Sequence, residues 1–172
     1  MYKVYYGIDP GAKGALCGLC FHQGAIVKVD IKDLPQSIEG WFECIEESRR
    51  RVGEVYIEEV HAIPGQSSQS MFSYGGNFKL AELLACSINA RYVKISPQKW
   101  KNFYSLKRQK DESKTEYKKR SVLKARELLG RLYSFKDSKD GQAEAALIAL
   151  YGYCNEHNVK PEEVCSVPTP LL

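Results

Sequence analysis

The sequence predicts one α/β domain: a mixed five-stranded sheet, an antiparallel meander followed by parallel strands, flanked by helices. Three observations carry that prediction. The 172 residues are 44% apolar and 27% charged, the range of a single globular domain able to build its own core. Three runs rich in Val, Ile, Tyr and Leu follow one another near the N-terminus with short turns between them. Beyond Pro35 the apolar positions change to helical spacing, and strand-like and helix-like stretches then alternate.

Residues 3–8 form the first strand, stopped by the turn signal Asp9-Pro10-Gly11. Residues 15–21 and 25–31 are the next two, and the short His22-Gln23-Gly24 link favours an antiparallel hairpin. Ile38, Trp41, Phe42 and Ile45 fall at i, i+3, i+4, i+7 and predict a helix that Gly53 ends. Residues 54–60 return to strand character. The Gly/Ser/Gln-rich stretch 61–77 reads as a loop, long for a passive connection. Leu80, Leu83, Leu84 and Ser87 mark a second helix, and residues 91–95 a fifth strand. A helix with Tyr117, Val122, Ala125 and Leu129 on one side follows, then a last one over 140–153 with Ala143, Ala146, Leu147 and Leu150 as its stripe. The domain is thus expected over 1–154, with 155–172, which contains three prolines, as an irregular tail.

Several classes are excluded. The most apolar stretch, 143–154, is too short to span a bilayer and contains Glu144. The N-terminus lacks an apolar run of signal-peptide length, so a cytoplasmic protein without membrane association is expected. Six cysteines in such a chain read as buried thiols. Cys17 and Cys20 have redox spacing but lie in a strand rather than at the helix N-terminus that would activate a thiol.

Charge is unevenly distributed. Residues 94–126 hold 12 Lys/Arg against three acids, while the remainder holds 13 against 18. Such a split points to one surface made for a polyanion and carboxylates concentrated elsewhere. Lys99, Lys101, Lys107, Arg108, Lys110, Lys114, Lys118 and Lys119 are the cations expected on that surface.

The carboxylates stand where apolar residues are expected. Asp9 ends an apolar strand, with a turn cap as its simpler role. Glu58 and Glu59 are adjacent on a strand, so one must face each side. Asp140 and Glu144 lie one turn apart at the start of an alanine-rich helix, where Asp140 could equally be an N-cap. Asp137, three residues before Asp140, could join either arrangement. Acids at the end of a first strand, on a later strand and at a helix start converge only at one sheet edge, and there they repel unless cations hold them. Oxygen-only ligands favour Mg²⁺ or Mn²⁺, and such clusters serve two-metal phosphodiester hydrolysis.

Four ordered motifs resemble a family. They are Gly7-Ile8-Asp9-Pro10-Gly11, Ile57-Glu58-Glu59-Val60, Pro97-Gln98-Lys99-Trp100-Lys101 and the helix opening Asp140-Gly141-Gln142-Ala143-Glu144. Together, over roughly residues 4–152, they are similar to the RuvC-type Holliday junction resolvases of the ribonuclease H-like superfamily. The phage-encoded branch looks nearest, through the 60–66 segment with Ser70-Met71-Phe72 and the later Pro97–Lys101 stretch. The resemblance implies a ribonuclease H-like fold and a structure-selective, Mg²⁺-dependent endodeoxyribonuclease, with Mn²⁺ able to substitute and two ions per site. It would resolve four-way and related branched DNA as a homodimer, leave 5′-phosphate and 3′-hydroxyl ends, need no nucleotide cofactor, and work in the bacterial cytoplasm if phage-encoded. Asp9, Glu58, Asp140 and Glu144 match the four metal-binding carboxylates, and Lys118, with Lys114 beside it, the lysine near the scissile phosphate. Two departures stand out. The helix pair is four residues apart rather than three, a spacing Asp137 and Asp140 would keep. His61 occupies the place of the phenylalanine that wedges into the junction, so Phe72 or Tyr74 is expected to stack on an unpaired base instead, with anchoring of both rings to the core as the alternative. His61, Gln66 and Ser70 complete the expected DNA contacts.

Two other functions fit parts of the sequence. An inert branched-nucleic-acid-binding module would share the fold, but all four carboxylate positions are still acidic. Asp9-x-Gly11-x-Lys13-Gly14 is also similar to the first phosphate loop of actin and sugar-kinase ATPases, whose two domains exceed this chain.

Overall fold

A computed structural model describes residues 1–166 other than 62–64, 66, 90 and 109, without the side chains of Ser70 and Lys114. Strands β1 (Tyr2–Asp9), β2 (Ala15–His22), β3 (Ala25–Asp33), β4 (Glu54–Glu58) and β5 (Val93–Ile95) form one sheet in the order β3-β2-β1-β4-β5. The first three make an antiparallel meander, and β4 and β5 run parallel to β1. Gln23 and Gly24 have φ of 51° and 82°, the left-handed pair that a two-residue hairpin turn needs between β2 and β3. The mixed sheet is the one the sequence predicts.

Strand alternation sorts the core into two layers. Tyr6, Ile8, Val55 and Ile57 face α1 (Ile38–Ser48) and α2 (Ser68–Ile88). Tyr5, Cys17, Leu19 and Tyr56 face the other layer, which contains α3 (Pro97–Phe103), α4 (Lys114–Leu129), α5 (Asp140–His157) and α6 (Pro161–Ser166). Cys17 and Cys20, three residues apart on β2, therefore point to opposite faces, and burial pushes the Cys17 thiol up. No helix among the described residues is long and apolar enough to cross a membrane.

Helix α5 fixes the site. It is buried on nearly every side from Gly141 to Cys154, beyond the single stripe expected for it. Its small residues face β1 so closely that a Cβ on Gly7 would stand 2.1 Å from the Ala145 carbonyl oxygen and 2.4 Å from the Ala149 nitrogen. Helix and strand backbones thus touch, and the start of α5 is held in register with the end of β1.

Three expectations are corrected and one element is added. Helix α2 begins at Ser68, inside the stretch read as a loop. Its buried C-terminal half (Phe78, Ala81, Leu84, Ala85, Ile88) supplies the costly nucleus, and propagation toward the N-terminus then adds one bond per residue fixed. On α1, Ile38 and Phe42 are 70% and 66% exposed, because the buried stripe is Trp41, Cys44, Ile45 and Ser48. Residues 97–103, unassigned by periodicity, form α3, started by the Ser96 cap and Pro97. The expected irregular tail is helical as far as described. Helix α5 continues to His157, and α6 starts on Pro161 with Glu162 and Glu163 favourably placed in its first turn.

Gly75 and Gly76 lie within α2, and a Cβ at either would meet nothing within 4 Å. Alanine there should stabilise the fold by about 1 kcal/mol per site, the helix penalty of glycine. Urea denaturation measures it, and no gain would show that this turn of helix is frayed in solution.

Candidate active site

In the parallel pairing of β1 with β4, Ile8 is opposite Ile57. The next residues, Asp9 and Glu58, therefore end adjacent strands on the same face, the one covered by α5. Both are buried, at 8% and 7% exposure. The Gly11 N–H donates to Asp9 Oδ1 at 3.0 Å, and the indole Nε1–H of fully buried Trp100 donates to Glu58 Oε2 at 2.7 Å. Glu59, just past the strand, lies 3.5 Å from His61 Nε2 instead.

Helix α5 brings the other two acids. A Cβ on Gly141 would be 3.1 Å from Asp9 Oδ2, so the first turn of α5 lies against that carboxylate. Lys139, not Asp140, is the capping residue and makes no side-chain cap bond. Asp140 is the first helical residue, where the helix dipole favours a negative charge, and it pairs with Lys118 of α4. One turn on, Glu144 Oε1 accepts from Ser121 Oγ at 2.9 Å and lies 3.4 Å from Lys101 Nζ. Asp137 pairs with Arg126 at 2.7 Å and its side chain is 73% exposed, so it stands apart from this group.

Crowding these acids has an electrostatic cost. Burial raises the Asp9 pKa well above the carboxylate range, and Glu144 and Glu58 raise it further. Burial likewise pushes Glu58 up to about 7, against the pull of Lys101 and the Trp100 hydrogen bond. Tyr74, half-buried on α2, is raised to about 12 by burial and by the charges of Glu58 and Asp9. Burial disfavours the Lys101 ammonium, yet Glu144, Glu58 and Asp9 outweigh it and raise its pKa. The donor set is all oxygen and short of positive charge, which suits a hard divalent cation. Among the described residues, however, no three His, Cys, Asp or Glu side chains are drawn together into a formed metal cage.

The expected DNA-contacting residues divide. Lys99, Lys107 and Arg108 are exposed on α3 and the connection after it, which Arg120 braces through the Ser105 and Lys107 carbonyls. Phe72 is 86% exposed and anchors nothing to the core, whereas Tyr74 borders a small cavity with His61, Met71 and Phe78. Gln66 lies outside the described residues, as do the side chains of Ser70 and Lys114. Lys101, expected on the outer surface, has only 15% of its side chain exposed. Spacing alone does not mark Trp100 and Ser121 as partners of the carboxylates. The Ser96-Pro97 helix start, which sets a tryptophan and a lysine side by side, was the available signal for Trp100.

No family model matches this chain, and no curated protein matches it. Solved structures do. T. thermophilus RuvC in complex with a Holliday junction substrate superposes with a TM-score of 0.56 at 17% identity, over 90% of this chain and 96% of that one. A Thermus thermophilus RuvC structure gives 0.54 at 17% identity, over 92% and 98%. The chain has the RuvC fold. The five-stranded mixed sheet and its flanking helices thus follow the fold of those RuvC structures over nearly their whole length.

Proposed function

We propose that this chain is a metal-dependent endonuclease that nicks four-way and related branched DNA. The observation that carries this reading is the gathering of Asp9, Glu58 and Glu144, with Asp140 one helical turn before Glu144, at one edge of a RuvC-fold sheet. One neighbour of this fold was solved with a Holliday junction substrate, which favours the same class of ligand here.

Asp9, Glu58, Asp140 and Glu144 would hold Mg²⁺ or Mn²⁺, which supplies an activated water and stabilises the leaving oxygen. The chain's own groups do the rest. Trp100 and the Gly11 amide fix the two strand carboxylates, and Ser121 fixes Glu144. Lys118, paired with Asp140 and half exposed, would meet the scissile phosphate. Exposed Phe72 and half-buried Tyr74 offer ring faces to an unpaired base at the crossover. Hydrolysis leaves 5′-phosphate and 3′-hydroxyl ends. Paired cuts on a two-fold symmetric junction call for a homodimer.

The test is cleavage of a labelled immobile four-way junction with Mg²⁺, beside linear duplex and ATP hydrolysis. Symmetric nicks in the junction alone support the reading. Binding without cleavage leaves an inert module, and ATP turnover replaces the nuclease altogether. Junction affinity should also fall steeply with salt. If exposed Lys99, Lys107, Arg108, Lys110 and Lys119 each neutralise one phosphate, the log–log slope is about −4.5 on duplex arms. An affinity indifferent to salt removes this surface from the proposal.

A further inference from the structure

The carboxylate group contains a cation of its own. Lys101 extends from α3 between the rings of Trp100 and Tyr117, its ammonium 4.9 and 5.4 Å from their centroids. It reaches Glu144 Oε1 at 3.4 Å with 15% of its side chain exposed, on the side where Glu58 and Asp9 also act on it. This position differs from that of Lys118, whose side chain is 47% exposed and meets only the outer acid, Asp140. The sequence pairs the two features that hold it there. Trp100 locks Glu58 by its indole N–H, and the next residue turns its charge into the same acids.

We infer that Lys101 is an internal counter-ion of the metal-free site, and that it must withdraw from Glu144 for a divalent cation to bind. The inference rests on the metal-dependent reading above. Glu144 Oε1 already accepts from Ser121, so its other contact at that oxygen is the one a cation displaces. Two positive charges sharing one partly buried carboxylate repel, and the ammonium can retreat along the aromatic faces, which favour a cation. Lys101 is therefore a positioning residue that sets how tightly the site loads. Its retreat would leave an ammonium beside the bound DNA only once metal is in place.

Mn²⁺ binding by the full chain, without DNA, is the test, followed by calorimetry. Lys101→Met should tighten Mn²⁺ about tenfold, because the ion no longer displaces a charge-assisted contact. The metal-free protein should meanwhile melt lower than wild type. Lys28→Met removes the same charge from an exposed site on β3 and should leave affinity within about twofold, since solvent screens it. Lys101→Gln serves if the methionine variant does not fold, and Lys101→Arg, which retains the charge, should keep wild-type affinity. Tightening confined to the neutral Lys101 variants supports the inference. Wild-type binding with unchanged or weaker affinity in those variants overturns it and leaves the metal site standing. No Mn²⁺ binding by any of the chains overturns the metal reading itself.

Discussion

Replacing Asp9 with asparagine should abolish junction cleavage and, at the same time, raise the melting temperature of the metal-free protein. The two effects have one source. Asp9 is buried, and Glu144 and Glu58 hold its pKa well above the usual range, so its ionised form is costly in the fold. Asparagine keeps the shape and an acceptor for the Gly11 amide while removing the charge. Cleavage should fall by about a thousandfold or more, the several kcal/mol a bound cation supplies to such chemistry. In chelator at pH 8, the melting temperature should rise, because the costly buried charge is gone. Glu58 gives the pH dependence. An acid whose pKa is raised on folding costs nothing below its unfolded value, and the cost grows between that value, 4.5, and its folded value of about 7. The metal-free wild type should therefore lose stability as pH rises through that window, and Mg²⁺ should restore it. Equal melting points for wild type and Asp9→Asn in chelator would refute the electrostatic account, whatever happens to activity.

Much of this site could be read from the chain because it depends on element ends. Asp9 closes a strand run at a Pro-Gly turn, and Glu58 interrupts an apolar strand, so both stand out against period-two patterning. Their shared face could not be read, since it depends on the pairing of Ile8 with Ile57, a register between strands some fifty residues apart. Asp140 and Glu144 signalled themselves by breaking an alanine-rich helix. The burial of that helix on nearly all sides did not, because it follows from the backbone contact at Gly7. The α2 region misled for a reason of propensity. Ser, Gln and paired glycines read as loop, and it is the buried stripe further along that carries the helix back to Ser68. Lys101 was legible as a cation but not as an internal one. The basic run around it gives no sign that a single lysine turns inward, and only the position of Trp100 against Glu58 shows it.

Gly141→Ala should cost more activity than any other single-methyl change at this site. A Cβ at residue 141 would lie 2.1 Å from the Lys13 carbonyl oxygen and 3.1 Å from Asp9 Oδ2. The first clash is with backbone and cannot be relieved by a rotamer, so the first turn of α5 must move away from the β1–β2 turn. Asp140 and Glu144 move with it, while Asp9 and Glu58 stay on the sheet. A displacement of about 1 Å in such a constellation costs roughly a hundredfold in rate. Overpacking of this kind destabilises by about 1–3 kcal/mol, which a domain can survive. The decisive comparison is Gly7→Ala, whose clash with Ala145 and Ala149 lies further along the same helix. Loss of cleavage in Gly141→Ala with a folded spectrum and weakened Mn²⁺ binding locates the defect in the carboxylate geometry. Full activity in a folded Gly141→Ala protein would mean that the start of α5 is not held against Asp9, and that the helix acids are not part of the working site.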